Sequence, residues 1–165
     1  MRMTTAAAVM TALAIGTCGS RAQAADPQYD DPAFCSRALG TSAQLSVDFH
    51  RRCMIAIAGA YLDAEANPSL ASKVPIAGDA ARHLLGRTEA HGAGGRAGIL
   101  AALDQSYLLS IKNRQWSVEG DVAYVVYDAA LRTDPKPTQY AFGERITIEK
   151  GMIKDIILLA ASGIQ

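Results

Sequence analysis

The sequence predicts an α+β fold in which one long N-terminal helix packs in a curved, mainly antiparallel sheet. Two observations predict it. Apolar residues recur at four-residue spacing after about residue 44, as on one side of a helix, and the chain beyond residue 105 consists of runs rich in β-branched and aromatic residues. Short turn signals separate these runs, as in a meander. One amphipathic helix before a meander implies a sheet that curves over that helix and has one concave face.

The N-terminal residues have the composition of a secretory signal peptide. Arg2 supplies a positive start, residues 6–15 are apolar, and Ala22-Gln23-Ala24 is a small-x-small cleavage site. The apolar run is shorter than the roughly 20 residues that span a membrane. We therefore expect residues 1–24 to be removed after Ala24, and a secreted or periplasmic protein without a membrane segment.

The remaining chain is predicted to form one domain, at residues 44–165. Residues 25–43 are rich in Pro and Asp, show no period, and are predicted to be an extended N-terminal arm. The full chain has a formal net charge of zero, and loss of Arg2 and Arg21 with the signal peptide leaves a slight acidic excess. No basic stripe remains, so we expect no nucleic-acid partner.

The cysteines indicate a disulfide. Cys35 and Cys53 survive cleavage, and in an oxidising compartment such a pair more often forms a disulfide than two free thiols. The alternative, Cys53 as a nucleophile, lacks an identifiable base. Cys18 precedes the cleavage site, and lipidation there is disfavoured because Thr17 stands where Gly or Ala normally precedes a lipidated cysteine.

The first element of the domain is a long helix from about Gln44 to Asn67-Pro68, where the proline ends it. A short strand follows at Arg82–Leu85, and a helix is predicted at residues 96–105. Between them the glycine-rich residues 91–98 match neither a P-loop nor a dinucleotide fingerprint, so they are predicted to be a loop and we expect no cofactor.

Four long strands complete the domain. They occupy Tyr107–Val118, Asp121–Thr133, Thr138–Ile148 and Met152–Ala161, and turn signals such as Glu119-Gly120 separate them.

Three stretches carry a family resemblance: the helix end at residues 60–64, Val-Pro-Ile-Ala-x-Asp at 74–79, and the closing strands at 143–156. They resemble the nuclear transport factor two-like superfamily, which includes ketosteroid isomerase, SnoaL-type polyketide cyclases and limonene epoxide hydrolase, and in particular an exported branch of it. The resemblance implies a cone-shaped, cystatin-like α+β barrel with an apolar cavity for a small hydrophobic molecule. It also implies a homodimer formed through the sheet.

Roles carried over from relatives match only in part. Tyr61 lies where the isomerase has an oxyanion donor on its helix, although a tyrosine there is also typical of core packing. The isomerase base has no counterpart, because the corresponding stretch contains His83 and no carboxylate. His83 is therefore a candidate base, with a structural role as the alternative.

Two carboxylates occupy apolar strand rows. Glu144 shares a face with Tyr140 and Phe142, and Asp128 shares a face with Tyr124. If these faces line the cavity, burial raises the pKa of each carboxyl and makes it a plausible proton carrier, with Tyr61 or Tyr124 stabilising an oxyanion. If they face solvent, both are ordinary surface charges, and alternation alone does not decide which face is concave.

Two functions are consistent with the sequence. The first is a cofactor-independent isomerase, cyclase or lyase that acts on a small hydrophobic carbonyl compound. The second is a non-catalytic ligand-binding or dimeric scaffold protein, which the missing isomerase base favours. The histidines share no ligand spacing and the acidic residues do not cluster, so we expect no metal site.

Overall fold

The computed structural model describes residues 31–41, 45–84, 87–133 and 139–163. The predicted signal peptide lies outside these residues. Within them, no helix is both long and apolar enough to cross a membrane. The elements in chain order are α1 (Pro32–Thr41), α2 (Val47–Ala66), a 3₁₀ helix (Pro68–Lys73), β1 (Ile76–Leu84), β2 (Arg87–Ala90), a short 3₁₀ turn (Gly92–Gly94), α3 (Gly95–Asp104), β3 (Leu108–Glu119), β4 (Val122–Leu131), β5 (Gln139–Glu149) and β6 (Met152–Gly163).

The strands form one curved, unclosed sheet in the order β2-β1-β6-β5-β4-β3. The pairing of β1 with β6 is parallel, and every other pairing is antiparallel. Strands β3 to β6 form the meander that the turn signals predict. The predicted α+β class with a mainly antiparallel sheet is therefore confirmed, with one parallel pairing that brings β1 beside the end of the chain.

The long helix is confirmed as α2. The side chain of Ser46 caps its first turn by accepting a hydrogen bond from the backbone N–H of Phe49 at 3.2 Å. Asn67 follows the last turn, and Pro68 begins the next element. The buried positions of α2 form one stripe and belong to the core: Cys53, Met54, Ile57, Ala58, Tyr61, Leu62, Ala64 and Glu65.

The prediction of an extended arm at residues 25–43 is wrong for its described part, because Pro32–Thr41 is the helix α1. Asp31 caps this helix: its side chain accepts from the backbone N–H of Ala33, and its carbonyl accepts from that of Cys35. Proline is favoured in the first turn of a helix, where no N–H is needed. Asp31 and Pro32, which are also typical of an irregular segment, therefore mark the start of a helix.

The predicted disulfide between Cys35 and Cys53 is present and joins α1 to α2. Both residues are fully buried. In the loop-entropy description a ring of this size stabilises the fold by roughly 3 kcal/mol. Helix α1 also rests on the β5–β6 turn, where Gly151 has a φ of +75° and a Cβ would lie 2.0 Å from the carbonyl oxygen of Ser36. Glycine permits both the turn and this close approach.

The region between α2 and β3 contains more strand than predicted. The short strand expected at Arg82–Leu85 is the end of β1, which begins at Ile76, and β2 pairs with it as a hairpin. The predicted helix at 96–105 is confirmed as α3. The neighbouring glycines serve close packing, because a Cβ on Gly95 would lie 2.0 Å from the carbonyl oxygen of Ala80.

Candidate functional site

A cavity of about 190 Å³ lies between the sheet and the C-terminal end of α3. Helix α2 forms part of its wall, because Glu65 reaches it from the last turn of that helix. The remaining lining residues come from β1, β2, α3 and the segment after it, and from β3, β4, β5 and β6: Arg82, Leu84, Glu89, Ala102, Gln105, Ser106, Tyr107, Leu108, Tyr127, Phe142, Glu144 and Leu158.

The faces of β4 and β5 decide which side chains reach this cavity. In β5 the residues from Phe142 onward at every second position are buried, and Glu144 is among them, with 4% of its surface exposed. In β4 the buried face carries Ala123, Val125 and Tyr127. Tyr127 pairs with Phe142 across the strands, and their rings stack with centroids 5.5 Å apart. Glu144 is therefore directed into the concave side of the sheet.

Glu144 is a buried acid with one free oxygen. Its Oε1 accepts a hydrogen bond from the hydroxyl of Tyr127 at 2.6 Å, and its Oε2 has no partner among the described residues. Burial, reinforced by the negative charge of Glu65, raises the pKa of Glu144 well above its usual range. Burial therefore favours the protonated form of the carboxyl, and Oε2 is the oxygen that can carry the proton into the cavity.

Glu65 forms the second acidic group, and it is paired. Its Oε1 accepts hydrogen bonds from the hydroxyl of Tyr61 at 2.9 Å and from Nη2 of Arg82 at 3.1 Å, while its Oε2 is buried without a partner among the described residues. Burial raises the pKa of Glu65, and Arg82 and the Tyr61 hydroxyl oppose this shift. Glu65 thus has a nearby cation that stabilises its carboxylate, whereas Glu144 has only a tyrosine hydroxyl.

Arg82 holds this cluster together. Its Nε donates to the hydroxyl oxygen of Tyr61 at 2.9 Å, and its Nη1 donates to Oε2 of Glu89. The pKa of Arg82 lies above its usual range although burial acts to lower it, because Tyr61, Glu65 and Glu89 surround the guanidinium. Arg82 therefore remains charged, and all three of its nitrogens already donate to protein acceptors.

Some predicted site residues meet at the cavity. Glu144 and Phe142 line it directly. Tyr140 lies on the same side of β5 as Phe142 and packs against the core without reaching the cavity. Tyr61 is fully buried behind the wall, where its hydroxyl is occupied by Glu65 and Arg82. It therefore positions charged groups and is not a free oxyanion donor.

The other predicted site residues lie on strand faces that point away from the cavity. Asp128 and Tyr124 lie on the outer face of β4, so neither lines the cavity, and Asp128 accepts a hydrogen bond from the Asn113 side chain at 2.7 Å. His83 neighbours Arg82 in sequence and so points away from the cavity. Its Nε2 lies 3.3 Å from Asp155, and its Nδ1 lies 3.0 Å from the Thr88 hydroxyl, which makes its role structural.

Sequence reasoning missed Glu65 and Arg82. A signal for Glu65 existed, because it lies four residues after Tyr61 on the apolar stripe of α2. Arg82 gave no comparable signal, since the two residues before it in β1 are alanines and its partner Glu89 belongs to a strand that the sequence did not predict.

Several solved structures are similar to this chain. One is an NTF2-like protein from Cytophaga hutchinsonii, with 10% identity, coverage of 72% of this chain and 92% of that chain, and a TM-score of 0.49. A second is a protein with a cystatin-like fold from Xanthomonas campestris, with 15% identity, coverage of 68% of this chain and 91% of that chain, and a TM-score of 0.49. A third is a protein of the SnoaL-like family from Agrobacterium tumefaciens, with 13% identity, coverage of 65% of this chain and 97% of that chain, and a TM-score of 0.46. These are the folds that the sequence resembles.

No curated protein matches the sequence. A family model matches residues 49–158, which include most of α2 and every residue that lines the cavity. The chain belongs to the family that this model describes, Domain of unknown function (DUF8021).

Proposed function

We propose that the protein is a cofactor-independent enzyme that moves a proton on a small carbonyl compound, as an isomerase, cyclase or lyase does. The observation that supports this is the pair of buried carboxyl groups on one cavity, Glu65 and Glu144, whose Oε2 atoms have no partner in the described part of the chain. Their surroundings differ, and two titratable groups whose environments separate their pKa values are typical of an acid and a base in one site.

The proposed reaction begins with a carbonyl compound in the cavity. Glu65, held as a carboxylate by Arg82, takes a proton from the carbon next to the carbonyl through its Oε2. The electron pair of that C–H bond moves into a C=C bond, the carbonyl π pair moves to oxygen, and Glu144 donates its proton to that oxygen. The enol returns to a carbonyl when Glu144 takes the proton back and Glu65 protonates the same or another carbon.

The cavity restricts the substrate by size. An apolar cavity of about 150 Å³ holds benzene, so a cavity of about 190 Å³ accommodates a ligand only slightly larger. Leu84, Leu108 and Leu158 supply apolar surface on the wall. The expected substrate is therefore a compact carbonyl compound with an apolar part, and a polycyclic ring system would have to extend into solvent.

Deuterium exchange tests the proposed reaction without knowledge of the natural substrate. A panel of small ketones and aldehydes is incubated in D₂O with the purified protein, and proton NMR follows loss of signal from the carbon next to each carbonyl. We expect catalysed exchange for at least one compound of benzene-like size. If compounds bind, as seen by line broadening, and none exchanges, the protein is the non-catalytic ligand-binding module that the sequence also allowed.

We also propose a homodimer through the outer face of the sheet. Exposed apolar side chains lie together there, among them Tyr124, Val126 and Leu159, beside a groove that includes Trp116. Contiguous exposed apolar surface on a sheet is typical of an association site. Sedimentation equilibrium should give a dimer for the wild type and a monomer for Val126→Glu. Val47→Glu, at an exposed position on α2, should remain dimeric, and a monomeric wild type would refute the proposal.

Export is the remaining part of the proposed function. The Cys35–Cys53 disulfide supports an oxidising compartment. Mass spectrometry of protein from the periplasm or medium of an expressing bacterium should find an N-terminus at Ala25, and protein that stays in the cytosol with residues 1–24 attached would contradict export.

A further inference from the structure

The charged groups around the cavity are unevenly balanced. Its described lining contains three carboxyl groups, Glu65, Glu89 and Glu144, and one cation, Arg82. Even in the protonated form of Glu144, two carboxylates face one guanidinium, so the cavity has an excess of negative charge. A cavity with low-dielectric walls concentrates the field of such an excess.

The charge of Arg82 is already engaged by groups of the protein. Its Nε, Nη1 and Nη2 donate to Tyr61, Glu89 and Glu65 respectively. An anionic ligand would have to compete with two carboxylates for the guanidinium, and it would be repelled by them. The one cation in the described lining is therefore already paired with two carboxylates, which weakens its attraction for a carboxylate or phosphate of a ligand.

A second observation shows that a polar ligand belongs here. Glu65 and Glu144 are each 4% exposed, and the Oε2 atom of each is buried without a hydrogen-bond partner among the described residues. A buried polar atom left without a partner costs about 1–3 kcal/mol, so a ligand that satisfies these oxygens gains affinity. One of them accepts from the ligand, and protonated Glu144 donates to it.

The cavity also offers surfaces suited to a cation. The Glu89 side chain is 32% exposed, and its Oε2 accepts a hydrogen bond from Arg82. Tyr107, which is partly exposed, lines the same cavity. The rings of Tyr127 and Phe142 lie further in. Aromatic faces attract ammonium groups, and more strongly where water is excluded.

We propose that the cavity selects its ligand by charge, accepting a small carbonyl compound that carries a protonated amine and excluding carbonyl compounds that carry a carboxylate or phosphate. The inference rests on the proposed function in using the same cavity and substrate carbonyl. The ammonium group lies on the Glu89 and Tyr107 side, and the carbonyl oxygen faces Glu144. Glu65 then remains free to act on the carbon between the two groups.

Three methyl ketones of similar size and different charge test this selection: aminoacetone, hydroxyacetone and pyruvate. Affinities are measured by NMR titration of the purified protein at neutral pH. We expect aminoacetone to bind roughly tenfold more tightly than hydroxyacetone, about 1.4 kcal/mol, and pyruvate to bind most weakly. Equal affinities, tighter binding of pyruvate, or no binding of aminoacetone at millimolar concentration would overturn the proposal.

Two variants distinguish an effect of charge at the cavity from an effect of the protein's net charge. Glu89→Gln removes a negative charge at the cavity and should reduce the preference for aminoacetone several-fold. Asp128→Asn removes the same charge from the outer face of the sheet and should leave the preference unchanged. An equal effect of both variants would show that only net charge matters and would refute selection by the cavity.

Binding and exchange distinguish this inference from the proposed reaction. Deuterium exchange of hydroxyacetone as fast as that of aminoacetone, with equal affinities, would leave proton transfer in place and remove the charge selection. Tight, selective binding of aminoacetone without exchange would support the charge selection and remove the proposed proton transfer.

Discussion

Replacement of Glu144 by Gln is expected to lower catalysed deuterium exchange by about 10²- to 10⁴-fold, the usual contribution of a positioned acid or base. Glutamine has nearly the same shape, and its side-chain oxygen can still accept the hydrogen bond from Tyr127. It has no acidic proton to give to the substrate oxygen. Exchange is measured by proton NMR with the most active ketone of the panel, and an unchanged rate would remove Glu144 from the mechanism.

The same variant should be at least as stable as the wild type at neutral pH. Burial, followed by the charge of Glu65, raises the pKa of Glu144, and Arg82 and Tyr127 only partly oppose this shift. A raised pKa in the folded state means that the free energy of unfolding is highest below the ordinary carboxyl pKa and falls as pH rises through the folded-state pKa. Glutamine cannot ionise, so this part of the pH dependence should disappear.

Thermal unfolding between pH 4 and pH 9 checks this expectation. The wild-type Tm should fall more steeply with rising pH than the Tm of Glu144→Gln. The matched control is Glu149→Gln, at the exposed end of the same strand, which should follow the wild-type curve. Parallel curves for wild type and Glu144→Gln would show that Glu144 titrates as an ordinary surface carboxylate.

Replacement of Arg82 by Met is expected to destabilise the fold by about 3–5 kcal/mol, as removal of one partner of a buried ion pair does. The Arg82 and Glu65 side chains are 13% and 5% exposed. Without the guanidinium, the carboxylate of Glu65 has only the Tyr61 hydroxyl to stabilise it. Urea unfolding at neutral pH measures the loss, and the pKa of Glu65 should rise further in the variant.

A second substitution identifies the cause of the loss. In the double variant Arg82→Met with Glu65→Gln no deeply buried unpaired charge remains, because Glu89, the other carboxylate partner of Arg82, is partly exposed to solvent. Most of the lost stability should therefore return. Arg114→Met serves as a control, because Arg114 pairs with the half-exposed Asp63 and such pairs contribute less than about 1 kcal/mol. If the double variant is as unstable as Arg82→Met alone, the loss comes from packing of the arginine stem.

Local patterns predicted much of the fold. The spacing of apolar residues identified α2, because a helix half covered by a sheet has to present one apolar stripe. The four strands of the meander were visible because their pairings are between sequence neighbours joined by short turns. Strand β1 was placed too short, since its first residues, Ile76-Ala77-Gly78-Asp79-Ala80, have little strand propensity and its pairing with β6 joins distant parts of the chain.

The candidate site was predicted only in part. Alternation placed Glu144 and Phe142 in one row and Asp128 and Tyr124 in another, and both rows contained a carboxylate among apolar residues. The rows look equivalent in sequence because side chains alternate on both faces of every strand. They differ in the folded protein because α2 and α3 cover only one face of the sheet.

Local spacing and composition are enough to predict the class of fold, the disulfide pair and the alternating row that contains Glu144. The position of Glu144 at a cavity, together with Glu65, Arg82 and Glu89, depends on how distant elements pack. These residues come from α2, β1, β2 and β5, and their meeting depends on the curvature of the sheet and on the parallel pairing of β1 with β6. Burial, which changes the chemistry of a carboxyl group, is a property of that whole arrangement.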